Sequence, residues 1–242
     1  MTAEFLQLLP YLIIAFGAGL LGAFVALVWS PGVTARGAIQ HFAAGVVIAA
    51  VASDLIPEVQ KIGTAPGVLG GFAAGGAAMI GLKWLVLKFE KYEKQKHQLP
   101  LGIAAAAGID TLVDGAIISA GFSSGQQLGG LLAIALSVEL FFLTLSVGSE
   151  FHKSKSNRWK GLAITSLIAL MLLVGALAAF FALQAVSDAT LAIVLAFGAA
   201  ALIYLVAEEL LVESIQAEEN LFSTTMLFAG FLVVLAIKLL SR

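Results

Sequence analysis

The sequence predicts an all-α membrane protein: eight transmembrane helices forming a single domain over residues 1–242. Three observations predict it. Of the 242 residues, 60% are hydrophobic and only 12% charged, with a mean hydropathy of +1.03, whereas soluble domains carry about a quarter charged residues. Eight apolar stretches reach the ~20 residues that a helix needs to cross ~30 Å of hydrocarbon. No stretch shows the alternation of a membrane-barrel strand. Lipid offers the backbone no hydrogen-bond partner, so each segment must satisfy its own groups and becomes a helix.

Residues 6–29 lack a basic leader region and are too long for a signal peptide, so they are expected to be a retained span. The second stretch, 38–59, opens near His41 and carries Asp54 and Glu58 toward its far end. The third, 67–89, runs into "KFEKYEKQKHQ", a charged segment that reads as a solvated loop with i,i+4 pairing rather than a metal sensor built on His97. The fourth, 101–122, holds Asp110, Thr111 and Asp114 within oily sequence. The fifth, 127–150, holds Ser137 and Glu139 and ends at Glu150; the basic loop "HKSKSNRWK", with His152, follows. The sixth, 160–184, is free of charge after Lys160. The seventh, 189–213, carries Glu208 and Glu209 and ends at Glu213, and the eighth is 221–240. The links are too short to hold a soluble domain.

Charge orients the bundle. If the loops after spans 1, 3, 5 and 7 are cytoplasmic, that side holds Arg36, Lys83, Lys88, Lys91, Lys94, Lys96, Lys153, Lys155, Arg158 and Lys160, against Lys61, Lys238 and Arg242 on the other. The positive-inside rule then places both termini outside the cytoplasm, in a plasma or inner membrane. Trp29, Trp84 and Trp159 all fall at cytoplasmic span ends, where interfacial tryptophans belong. The net charge of −2 supplies no basic surface for nucleic acid, and the absence of cysteine removes disulfides and thiolate metal sites.

An internal echo links span 2 to span 7. At an offset of 155 residues, "FAAGVVIAAVASDLIPE" (42–58) and "FGAAALIYLVAEELLVE" (197–213) agree at seven of seventeen positions, with Asp54 opposite Glu209. The two spans run in opposite directions, which is the pattern of an inverted repeat relating helices 1–3 to 6–8 in a 3+2+3 arrangement. Such repeats belong mainly to transporters.

An acid at the centre of a membrane helix costs at least ~2.5–3.5 kcal/mol on insertion scales, so it faces the bundle interior and serves a pathway. Asp110, Asp114, Glu139, Glu208 and Glu209 are the candidates; Asp54 and Glu58 lie nearer an end, and His41 sits at a helix edge. Asp110 and Asp114, spaced i,i+4, share one helix face. Two carboxylates there repel unless a divalent cation or shared protons compensate, because spans 4, 5 and 7 contain no Lys or Arg. Small residues let helices approach closely, so Gly115 and Gly121 are expected to press span 4 against span 5.

At these residues the chain resembles the ZIP (ZRT/IRT-like) divalent metal transporters. "HFAAGVVIAAVASDLIPE" and "YLVAEELLVES" look like that family's second and seventh helices. The resemblance implies a metal site between helices 4 and 5, uptake toward the cytoplasm, an elevator-like motion and often a homodimer. It lays the family's helix-4 motif, His-Asn-x-x-Glu-Gly, on Asp110-Thr111-Leu112-Val113-Asp114-Gly115. The helix-5 motif puts a ligand at Glu139 but Leu143 where a second acid is usual. In span 7 the ligand glutamate falls on Glu209, with Glu208 before it and Val212 where proline is common. The implied metal set is Asp110, Asp114, Glu139 and Glu209, with Asp54, Glu58, His41, Thr111 and Glu208 along the pathway and Ser137 as a helper. The implied substrate is a divalent ion such as Zn, Mn or Fe. A proton-coupled carrier of another solute and a transport-deficient ZIP-like protein are the alternatives. An enzyme reading, as an intramembrane aspartyl protease, lacks the Gly-x-Gly-Asp signature.

Overall fold

The computed structural model describes residues 2–94, 101–153, 158–212 and 221–240. Eight helices in it are long and apolar enough to cross a membrane. They are α1 Thr2–Val28, α2 Val33–Ile62, α3 Ala65–Lys94, α4 Leu101–Ser124, α5 Gln126–Lys153, α6 Arg158–Ala182, α7 Asp188–Leu210 and α8 Leu221–Leu240. Every predicted span is a helix. The helices overrun the predicted ends mainly where the flanking residues are polar, as at Val33 and Lys94, because hydropathy marks the oily part of a helix rather than its hydrogen-bonded length. Ser187 caps α7 by accepting from the Thr190 N–H at 3.2 Å, and its hydroxyl is 3.0 Å from that of Thr190.

The helices pack as two groups. In one, α1 lies along α5, α4 lies along α6, and α4 meets α5. In the other, α2 lies along α8, α3 lies along α7, and α2 meets α7. The groups touch where α2 meets α5, where α4 meets α7 and, more lightly, where α3 meets α4. Exchanging α1 with α6, α2 with α7, α3 with α8 and α4 with α5 converts all of these pairings but the last into another or into itself. The inverted repeat therefore extends to the central pair, which the sequence left outside it.

Detail supports the same symmetry. Helices α2 and α7 each contain one turn of π-helix, at Val51–Leu55 and Val206–Leu210. The two turns are 155 residues apart, the offset of the sequence echo. The close approaches match as well. A Cβ on Gly230 would lie 2.1 Å from the Phe42 carbonyl oxygen, and one on Gly75 would lie 2.4 Å from that of Phe197. Gly75 and Gly230 are repeat mates, and so are Phe42 and Phe197. Lipid tails are as apolar as leucine side chains, so helices associate through close packing, and only glycine admits a carbonyl this near.

Helix α4 is held in the same way. A Cβ on Gly115 would lie 2.0 Å from the Leu172 carbonyl oxygen, and one on Gly175 would lie 1.9 Å from that of Leu112. Gly115 thus docks α4 on α6 and not on α5, which corrects the expectation from sequence. Gly121 does face α5, where its Cβ would meet Leu132 at 2.7 Å and the Gly129 Cα at 3.1 Å. The two glycines are six residues apart, so they lie about 120° apart around the helix at 100° per residue.

Candidate metal centre

Because Gly115 and Gly121 clamp α4 from two sides, the face bearing Asp110 and Asp114 turns into the bundle. Asp110 is 4% exposed and Asp114 2%. Glu139 of α5, 1% exposed, completes a group of three. One carboxylate oxygen from each of Asp110, Asp114 and Glu139 lies within 4.8 Å of the others. The Asp114 and Glu139 carboxyls are within hydrogen-bonding reach of each other. Even so, Asp110 Oδ2, Asp114 Oδ2 and Glu139 Oε2 are buried with no hydrogen-bond partner in the structure. A buried charge is retained only when it is paired or coordinated. Three carboxylates this close cannot all be anionic unless a cation sits among them. Among the described residues no Lys or Arg does so: the ion pairs of the bundle involve other acids.

The two hydroxyls named from the sequence are both engaged along their own helices. Thr111 donates to the Ala107 carbonyl at 2.7 Å, and Ser137 to the Ala133 carbonyl at 2.5 Å. Each bonds along its own helix, which leaves only oxygen lone pairs for a ligand.

The remaining sequence candidates divide by position. Glu209 is half-buried and stands outside the 4.8 Å group, yet its charge acts on all three acids of the cluster. Glu208, beside it, is exposed and bonded to Lys83 of α3. Asp54 is ion-paired to Lys238 of α8 at 2.7 Å and accepts from Ser53 at 2.5 Å. Glu58 accepts from Ser124 of α4 at 2.9 Å and from Lys61 at 3.3 Å. The His41 Nδ1 lies 2.9 Å from the Gly37 carbonyl oxygen. Glu150 pairs with Arg36 of α2 at 2.9 Å, a link between the two helix groups. His97, Glu213 and the His152 side chain lie outside the described residues.

Sequence reasoning passed over one feature. A cavity of about 220 Å³ opens where α1 and α7 begin and α4 ends. Glu4, Gln7, Ser123, Gln126, Gln184 and Asp188 give it a polar lining. Ser123 is nine residues beyond Asp114 on α4, a rise of ~13 Å. The signal was present as acids and amides at span ends on one side of the membrane, but nothing in their spacing brings five helix ends together.

Taken with its apolar surface, this is an integral membrane bundle with a buried acidic cluster. No protein-family model matches the chain, and no curated protein matches it.

Proposed function

We propose that the protein is a divalent-cation transporter of ZIP-like type, which binds its substrate between Asp110, Asp114 and Glu139. The observation that carries this reading is the convergence of three buried carboxylates, each with an oxygen that has no partner, from two helices of one group. A divalent cation would take those oxygens and cancel most of their repulsion. Glu209, from the other group, supplies a fourth acid nearby. The polar cavity beside Ser123 offers an approach from the end where the chain begins, which the charge asymmetry assigns to the extracytoplasmic side. Two groups, each packed more extensively within itself than against the other, suit an elevator-like motion, in which the group carrying the cluster slides against the other. A homodimer fits the same family resemblance.

The ligand set is oxygen alone. Such sites suit Mn²⁺ and Fe²⁺ relatively better than Zn²⁺, although affinity for a fixed ligand set still rises along the Irving–Williams order. Thermal stability of the purified chain in detergent tests the reading. A ligand bound only to the folded state at ~100 times its Kd stabilises by about 2.7 kcal/mol. Mn²⁺ should raise the Tm of the parent and leave that of Asp114→Ala where it is. Equal shifts in both would refute the site. No shift in the parent with Mn²⁺, Fe²⁺ or Zn²⁺ would favour a proton-coupled carrier built on the same acids.

A further inference from the structure

Both π-helical turns receive a lysine from the helix packed beside them. Lys238 of α8 reaches the α2 turn, where it lies 2.7 Å from Asp54 Oδ1 and donates to the Ser53 carbonyl. Lys83 of α3 reaches the α7 turn and donates to the Glu208 carboxylate. Lys83 and Lys238 are 155 residues apart, like the turns they hold. The inverted repeat has thus kept the lysine, the π turn and the glycine contact together, once toward each end of the bundle.

The copies differ by one position in what the lysine holds. Asp54 corresponds to Glu209, and Ser53 corresponds to Glu208. In α2 the ammonium sits on the acid itself and neutralises it in place. In α7 it takes the carboxylate one residue earlier. Successive helix residues point ~100° apart, so fixing Glu208 toward α3 turns Glu209 well away from α3. Helix α4, which carries Asp110 and Asp114, packs on another side of α7: Gly198 faces Ile117 of α4, whereas Phe197 and Ala200 face Gly75 of α3. The burial agrees, since Glu208 is exposed and Glu209 half-buried.

We infer that Lys83 is a positioning residue: by holding Glu208 against α3, it fixes the α7 π turn in the register that presents Glu209 to the Asp110–Asp114–Glu139 cluster. The ligand role of Glu209 rests on the cation-transporter reading; the register does not. A π turn holds one residue more than an α turn, so a return to α geometry would slip the neighbouring residues by one position; such turns recur at functional sites. A salt link to a neighbouring helix prevents that slip, and a short i,i+4 pair within α7 could not, because it would move with the turn.

Two measurements test this on the full chain in detergent. The chain contains no cysteine, so Glu209→Cys reports its register by the rate of maleimide labelling. With Lys83 intact, labelling should be slow; adding Lys83→Met should speed it severalfold, and Lys83→Arg should restore the slow rate. Lys83→Gln carries the same test should Lys83→Met not yield a monodisperse protein. In the second arm, Mn²⁺ is titrated calorimetrically into chains that retain Glu209. Lys83→Met should weaken Mn²⁺ about tenfold, as loss of a supporting contact behind a metal ligand does. In a Glu209→Gln background Lys83→Met should then have no further effect, since both changes remove one contribution. Unchanged labelling in Lys83→Met would overturn the positioning role whatever the metal does. Faster labelling with an unchanged Kd would overturn the presentation of Glu209 to the cluster. If the parent bound no Mn²⁺, the cation reading would fall, and the labelling arm alone would still decide the register.

Discussion

Replacing Asp114 by Asn removes one charge from the cluster and keeps the shape of the side chain. Two ionised carboxylates with oxygens within 4.8 Å of each other repel by about 3.5 kcal/mol or more at an effective dielectric of ~20. Asp114 has two such neighbours, but the full repulsion applies only when all three acids are ionised at once. A net gain of about 2 kcal/mol for the cation-free chain is therefore the expected order of magnitude. For a chain of this length that corresponds to a Tm rise of about 4–8 °C. The same change should abolish stabilisation by Mn²⁺, so that the variant is more stable than the parent in chelator and less stable in saturating metal. Thermal unfolding in detergent, with and without Mn²⁺, reads both effects in one experiment. A crossing of this kind separates a site strained for binding from acids that merely help to hold the bundle together. If Asp114→Asn melted below the parent in chelator, the carboxylate would be a structural hydrogen-bonding group, and the argument from repulsion would be wrong.

Other expectations follow from the same geometry. Gly75→Ala and Gly230→Ala should each destabilise by about 1–3 kcal/mol, because their Cβ atoms would meet backbone carbonyls at 2.4 and 2.1 Å. Gly17→Ala and Gly76→Ala, with nothing within 4 Å, should be close to neutral in the same melting assay. Asp110→His adds an imidazole nitrogen and should shift relative affinity from Mn²⁺ toward Zn²⁺ in competitive titration; an unchanged ratio would place Asp110 outside the binding set. Single cysteines introduced at Thr2 and at Lys94 should label from opposite sides in intact cells, Thr2 from outside. Labelling of Lys94→Cys by an impermeant reagent, with Thr2→Cys protected, would reverse the topology.

The sequence by itself determined the features that depend on neighbours along the chain. Eight spans follow from segment length and hydropathy, because lipid imposes the same demand on each segment separately. The shared face of Asp110 and Asp114 follows from helix geometry alone, and the offset of 155 between the halves could be read from residue identities. The tertiary structure decided the contacts between helices. Hydropathy cannot choose among apolar faces when lipid is as apolar as any of them, so the docking of Gly115 on α6, and not on α5, came from surface shape. The same choice brought Glu139 to the α4 pair and left Glu209 outside the 4.8 Å group. It also gave Asp54 the ammonium of Lys238, a residue 184 positions away. That separation hid the partner from any local pattern, and with it the difference between the halves: one lysine pairs with Asp54, the repeat mate of Glu209, and the other with Glu208.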